Sequence, residues 1–149
     1  MRHPLRALAL GCALAATPAC ASLQLGETRI DNPVAAARTP DQRAYAILHS
    51  YAAVVEEAAD IVRDPVAPLS LKRALGQAER AATPAVETLQ IAVAAYVRAR
   101  ADYDAATRDD QPVLERTATA LTIAANRLSA AIIAAERPVS ELEALVRRR

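Results

Sequence analysis

The sequence has no phenylalanine and no tryptophan, and its only aromatic residues are four tyrosines. It also has only 3 glycines in 149 residues, too few for the many tight turns of a β-sheet protein. Hydrophobic residues nevertheless make up 53% of the chain, as in folded proteins. Alanine, the strongest helix former, is the commonest of them. The composition therefore predicts an all-α domain whose helices pack closely through small side chains.

Residues that hold metals and cofactors are scarce as well. The sequence contains 2 histidines and 2 cysteines, and all of them except His49 lie in the first 20 residues. It has no Glu-x-x-His pair, haem-attachment motif or zinc-ligand cluster, so we expect neither a metal nor a cofactor. It also has no glycine-rich turn and no cysteine after Cys20, and therefore lacks the usual parts of a nucleophile or a phosphate cradle. We expect no enzymatic activity.

An excess of positive charge is missing too. The chain carries 18 basic and 17 acidic residues, and removal of a leader containing Arg2 and Arg6 would leave 16 basic residues. A general nucleic-acid-binding protein would show a clear basic excess. The charge balance argues against nucleic acid as a partner.

The N-terminus has the layout of a bacterial signal peptide. Arg2 and Arg6 precede an uncharged run over residues 7–16, which has the length of the apolar part of a signal peptide and is too short to span a membrane. Pro18 and small residues follow this run. We therefore predict that residues 1–21 are a signal peptide and that the protein is exported.

Two kinds of processing fit the end of this segment. Residues 19–21, Ala-Cys-Ala before Ser22, match the small-x-small pattern of ordinary signal peptidase, which would release a soluble periplasmic protein. Residues 17–20 resemble a lipobox, although Thr17 stands where leucine is usual, and Cys20 would then be lipidated. Because no cysteine follows, Cys20 has no disulfide partner in the mature chain, and a lipid anchor in the membrane explains its position best. By resemblance to enterobacterial lipoproteins, the absence of aspartate after the anchor implies the periplasmic side of the outer membrane.

The mature chain is predicted to consist of a tether and one domain. Residues 22–38 show no sustained hydrophobic period, so we expect a flexible tether there. A helical bundle is predicted over residues 39–149. It begins at Thr39, where an N-cap threonine, Pro40 at the first helical position and Gln42 three residues after the cap form a helix-start pattern.

Apolar residues at alternating spacings of four and three predict three long antiparallel helices plus short segments, packed with a left-handed twist. The first helix should end at Asp64-Pro65, and the last should begin near Pro112. At Pro84 either a new helix begins or a continuous helix kinks, and we prefer a kink or tight corner. Pro138 is predicted to end the last helix, with a short tail helix beyond it.

Two groups of residues are candidate interaction sites. Arg100 falls in a core stripe between Tyr96 and Tyr103. It could bind an anion or a partner's carboxylate, or simply extend past the two tyrosine rings to solvent. Ile123 and Ile133 lie off the core stripe of the last helix and could form a dimer or partner surface. Alternatively, they could pack against the tail helix.

The stretches TPDQRAYA (39–46) and AERAA (78–82) resemble small exported proteins of proteobacteria, some of them linked to prophages. This resemblance implies no activity and no functional residue. We expect a non-enzymatic cell-envelope protein, a lipid-anchored helical module that contacts a protein partner or itself. Two alternatives stay open: a phage-type lysis or envelope-bridging lipoprotein, and a soluble periplasmic protein that binds an apolar ligand. The lack of aromatic residues argues against the second.

Overall fold

A computed structural model describes residues 33–106 and 110–148. All regular structure in this part of the chain is helical: α1 (Pro33–Ala36), α2 (Pro40–Arg63), α3 (Leu69–Ala105) and α4 (Gln111–Val146). The three long helices pack as a bundle in which α4 contacts both α2 and α3. The predicted all-α class with three long helices is confirmed.

Both ends of α2 lie where the sequence predicts them. The Thr39 hydroxyl accepts a hydrogen bond from the backbone N–H of Gln42, and Pro40 occupies the first turn. The side-chain oxygen of Gln42 accepts a hydrogen bond from the backbone N–H of Arg38, so the side chains of both Thr39 and Gln42 stabilise the start of the helix. The helix ends before Asp64, because the following proline disfavours helical backbone at that residue.

The start of α4 is also close to the predicted position. Asp110 caps the helix by accepting a hydrogen bond of 3.2 Å from the N–H of Val113. Pro112 lies in the first turn, where its missing N–H would have no helical partner in any case.

Pro84 lies inside α3, and the helix continues through it. Proline has no N–H to donate to the carbonyl of Arg80, so one helical bond is lost. Next to it, the Thr83 hydroxyl donates to the carbonyl of Glu79 and lies 2.9 Å from the Tyr51 hydroxyl. Because the single hydrogen of Thr83 is used on Glu79, Tyr51 is the donor in the second bond. This bond ties α2 to α3 beside the proline.

The prediction that Pro138 ends the last helix is wrong. α4 continues to Val146, and Ser140 donates to the carbonyl of Arg137 instead of capping a tail helix. Leu142 and Val146 are fully buried beyond the proline. Burying two such side chains contributes about 3–6 kcal/mol, which offsets the roughly 3 kcal/mol that a proline inside a helix costs. Tertiary packing therefore overrides the local stop signal.

The core consists of two clusters along the bundle. In the first, Ala44 and Ile47 of α2 pack with Leu89 of α3 and with Leu128 and Ile132 of α4. The second lies at the other end of α2, where three residues of α2 pack with one of α3 and two of α4: Val54, Ala58, Ile61, Leu75, Leu142 and Val146. Small side chains in the first cluster let the helices approach closely, as the composition predicts.

The far ends of α3 and α4 extend beyond α2. The Tyr51 hydroxyl of α2 is hydrogen-bonded to the Thr83 hydroxyl of α3. The two helices run antiparallel, as their shared core clusters show. Pro40 lies 11 residues before Tyr51, and Ala94 lies 11 residues after Thr83, so α2 begins about level with Ala94. Residues 94–105 of α3 and 111–123 of α4, which we call the distal hairpin, thus lie past the first residue of α2, although Tyr45 of α2 lines a groove with Val97 and Ala101. None of the described residues of the distal hairpin is buried.

Part of the predicted tether is ordered. The one-turn helix α1 lies within it, and Val34 packs against the first core cluster. Residues 22–32, the rest of the predicted tether, lie outside the described residues. The folded region thus includes residues before the predicted start at Thr39.

Candidate interaction surfaces

The candidate lipidation site, Cys20, lies outside the described residues, as does the whole predicted signal peptide over residues 1–21. The lipid anchor therefore stays a prediction from the sequence. Pro33, the first described residue in a helix, follows Cys20 by 13 positions.

Arg100 is exposed and paired within its own helix. Its Nε lies 3.1 Å from Oδ2 and 3.2 Å from Oδ1 of Asp104, one helical turn further on. Hydrogen bonds to Asp104 and to Tyr96 raise the pKa of Arg100, so this guanidinium stays charged. Tyr96 and Tyr103 on either side are half-buried, and Tyr96 packs against the first core cluster.

The exposure of Arg100 agrees with the alternative in which its side chain extends past the tyrosine rings to solvent, and the position at which α2 begins explains this exposure. Arg100 lies six residues beyond Ala94, which is level with the start of α2. At 1.5 Å per residue, it is about 9 Å past the point where a third helix would cover it. The stripe of α3 that Arg100 continues is buried as far as Val93, and the tyrosines on either side of Arg100 are half-buried. An arginine there keeps its charge in water.

Ile123 and Ile133 are both exposed, by 47% and 71%. The expected packing against a tail helix is wrong, because Pro138 does not end α4 and Leu142 lies on the same helix. Leu142 and Leu145 instead face the second core cluster. The two isoleucines are also separated, since Ile123 lies in the distal hairpin and Ile133 is level with the start of α2. Ile123 and Ile133 therefore do not belong to one continuous interaction surface.

Ile133 borders an open groove between α1, α2 and α4 with a volume of about 680 Å³. An ion pair crosses this groove: Arg43 Nε on α2 lies 2.5 Å from Glu136 Oε1 on α4, an oxygen that is itself buried. Val34 and Val139 contribute apolar walls. Sequence reasoning missed this pair because no local spacing connects residues that far apart in the chain.

A second groove lies between α2 and α3, with a volume of about 490 Å³. Tyr45 and Leu48 of α2 face Val93 and Val97 of α3 across it, and its surface is mostly apolar. Tyr45 and Val97 are about half exposed. This groove opens directly onto the distal hairpin, because Val97 belongs to both.

The remaining charged residues pair locally on the surface. Arg137 bonds to Glu141 and Arg147 to Glu143, each one turn apart on α4. The bond to Glu141 raises the pKa of Arg137. Among residues 33–106 and 110–148, no group of three or more histidine, cysteine, aspartate or glutamate side chains is placed to hold a metal ion.

α4 is long and apolar enough to cross a membrane by length and composition alone, and it is the single described helix for which this holds. However, the core helix of a folded domain has the same properties. α4 supplies seven buried residues to the two core clusters that it shares with α2 and α3: Leu128, Ala131, Ile132, Ala135, Val139, Leu142 and Val146. Its apolar face is thus used inside the bundle.

No family model matches the chain, and no curated protein or solved structure is significantly similar to it.

Proposed function

We propose that this protein is a non-enzymatic component of the bacterial cell envelope, exported and lipid-anchored through Cys20, whose helical bundle binds a protein partner at the membrane. The observation that carries the anchor is the position of Cys20. It follows a basic segment and an uncharged run of signal-peptide length, and no cysteine comes after it. Cysteines that build disulfides in exported domains lie in the domain itself.

The short connection between Cys20 and the bundle supports a site of action close to the membrane. Twelve residues separate Cys20 from Pro33. Fully extended, they reach about 40 Å, and as a random coil they span roughly 20 Å. A partner would therefore lie at or next to the membrane. Because aspartate does not follow Cys20, the proposal favours the outer membrane and its periplasmic side.

An interaction role is supported by the surface of the bundle. The two grooves described above are open, and apolar side chains such as Tyr45, Val97 and Ile133 remain exposed on or beside them. Apolar side chains in open grooves favour contact with another protein chain. Tight packing of the helices through Ala44, Ala82 and Ala135, each fully buried, does not favour a ligand held between them.

The anchor is tested by substituting each native cysteine in turn. The Cys20→Ser chain, expressed in a bacterial host, should lose labelled fatty acid and leave the membrane fraction, or accumulate as the uncleaved precursor. The Cys12→Ser chain is the matched control, because it removes a thiol from the apolar run and leaves the lipobox-like residues intact. The control should label and fractionate like the parent. Equal labelling of both variants, or no labelling of the parent, would end the lipoprotein proposal.

A further inference from the structure

The apolar stripe of α4 that faces α2 continues past the end of α2. Within the bundle it consists of Leu128, Ile132, Ala135 and Val139, all buried in the first core cluster with Ala44 and Ile47. The same spacing of four and three continues through Ala125 into the distal hairpin, where it includes Leu114, Ala118 and Leu121. There the residues are only half-buried, because α3 covers one side and no helix covers the other.

The matching face of α3 carries a balanced pair of charges. Val86, Leu89 and Val93 are buried in the stripe. Beyond them, the exposed Val97, Arg100 and Asp104 alternate along this face with the half-buried Tyr96 and Tyr103. The open face of the distal hairpin is therefore apolar along α4 and carries one positive and one negative charge along α3. A strongly acidic or basic partner would leave one of these charges opposed by a like charge.

The first described residues of the chain do not run toward this face. Thr39 and Pro40 line a groove with Ser129 of α4, whereas Val34 lines one with Glu143. From Pro40 back to Val34 the chain thus moves away from the distal hairpin.

We propose that the open face of the distal hairpin binds a second copy of this chain, so that two hairpins related by a two-fold axis form an antiparallel four-helix bundle. A two-fold axis level with Asp102 places Arg100 of each copy opposite Asp104 of the other. The interface is then self-complementary in charge, as a two-fold contact requires. Ala118 leaves room for close approach of the helices. This inference rests on the proposed function, in which the bundle binds a protein partner, and it identifies that partner as a second copy of the chain.

The size of the face predicts a weak dimer. The hairpin extends about 20 Å beyond α2, and two packed helices are about 20 Å wide. Each copy would bury roughly 500 Å², so the interface totals about 1,000 Å², the lower limit for a specific contact. We expect a Kd of about 1–100 µM in solution. Anchoring both copies in one membrane raises their effective concentration and favours the dimer.

Exchange of the two charges tests the proposal. Sedimentation velocity of the purified full chain, in the processed form that the cells produce, should show a dimer at high concentration. Arg100→Asp and Asp104→Arg each place like charges opposite one another, so each variant should raise the Kd at least about tenfold. An equimolar mixture of the two should restore dimerisation as a heterodimer, which native mass spectrometry of isotopically labelled Arg100→Asp identifies. Arg137→Asp is the matched control, since it breaks an equivalent pair on α4 outside the hairpin, and it should leave the Kd unchanged.

A second variant tests the apolar half of the face. Ala118→Arg adds a long charged side chain at a half-buried position and should abolish the dimer, whereas Ala130→Arg on the exposed side of α4 should not. Circular dichroism must show the same helix content for all variants. A parent chain that stays monomeric, a dimer indifferent to these changes, or variants that fail to pair when mixed would each overturn the proposal. Deletion of residues 22–32 gives a further test. Faster hydrogen exchange at the backbone amide of Ala118 after this deletion would show that these residues cover the hairpin, and it would overturn the proposal.

The two proposals fail separately. A dimer formed by a protein without lipid would contradict the anchor and leave the dimer standing. A lipidated protein that remains monomeric would contradict the dimer alone.

Discussion

Truncation of Leu142 tests whether α4 continues through Pro138. Leu142 is fully buried, in contact with a cluster that contains Ile61 of α2 and Leu75 of α3. Leu142→Ala removes most of this contact and leaves a cavity, so we expect a loss of about 2–5 kcal/mol in the free energy of unfolding. A domain of this size has a total stability of about 5–15 kcal/mol, so the loss is a large part of it. In thermal unfolding the same change should lower the Tm by roughly 10–20 °C.

Urea denaturation followed by far-UV circular dichroism measures this loss. Leu69→Ala is the matched control, because it makes the same chemical change at a helix residue that is 62% exposed. We expect it to alter stability by less than about 0.5 kcal/mol. Equal m-values for the two variants would show that the unfolded states are comparable. A Leu142→Ala protein as stable as the Leu69→Ala protein would refute the continuous packing of α4.

Three smaller changes test other features of the bundle. Tyr51→Phe should destabilise the protein by about 1 kcal/mol through loss of the bond to Thr83, and a double-mutant cycle with Thr83→Ala should show coupling of similar size; zero coupling would contradict the bond. Gly76→Ala should raise the stability by about 0.5–1 kcal/mol, because Gly76 lies inside α3 with open space around its missing Cβ, and a lower Tm would be inconsistent with this. Pro138→Ala should also stabilise, by up to about 3 kcal/mol, since it restores a helical hydrogen bond; destabilisation would indicate that the proline is needed as a helix stop.

The sequence predicted those features that local chemistry determines. The caps at Thr39 and Asp64 need only a side chain and a nearby proline, and both are found in the structure. The alternating spacing of apolar residues likewise predicted stripes that are buried within the body of the bundle, such as Leu128, Ile132 and Ala135 of α4. It did not predict that the same stripe is only half-buried at Leu114, Ala118 and Leu121. The fold class follows from the same periodicity.

The features that sequence reasoning missed depend on distant parts of the chain. Pro138 looks like a stop signal until the burial of Leu142 beyond it is known. The spacing on α3 alone left open whether Arg100 binds an anion or reaches solvent, and its exposure follows from where α2 begins. The Arg43–Glu136 pair forms only because α2 lies beside α4. In each case the deciding quantity is the relative position of two helices, which no local pattern encodes.

The mass of the mature N-terminus tests the proposed function most directly. The protein would be isolated separately from the membrane and the soluble fraction of expressing cells, digested, and its N-terminal peptide identified by mass spectrometry. We predict a peptide in the membrane fraction that begins with Cys20 and carries a diacylglyceryl group. An unmodified peptide that begins with Ser22, found in the soluble fraction, would contradict the lipid anchor and indicate a soluble periplasmic protein.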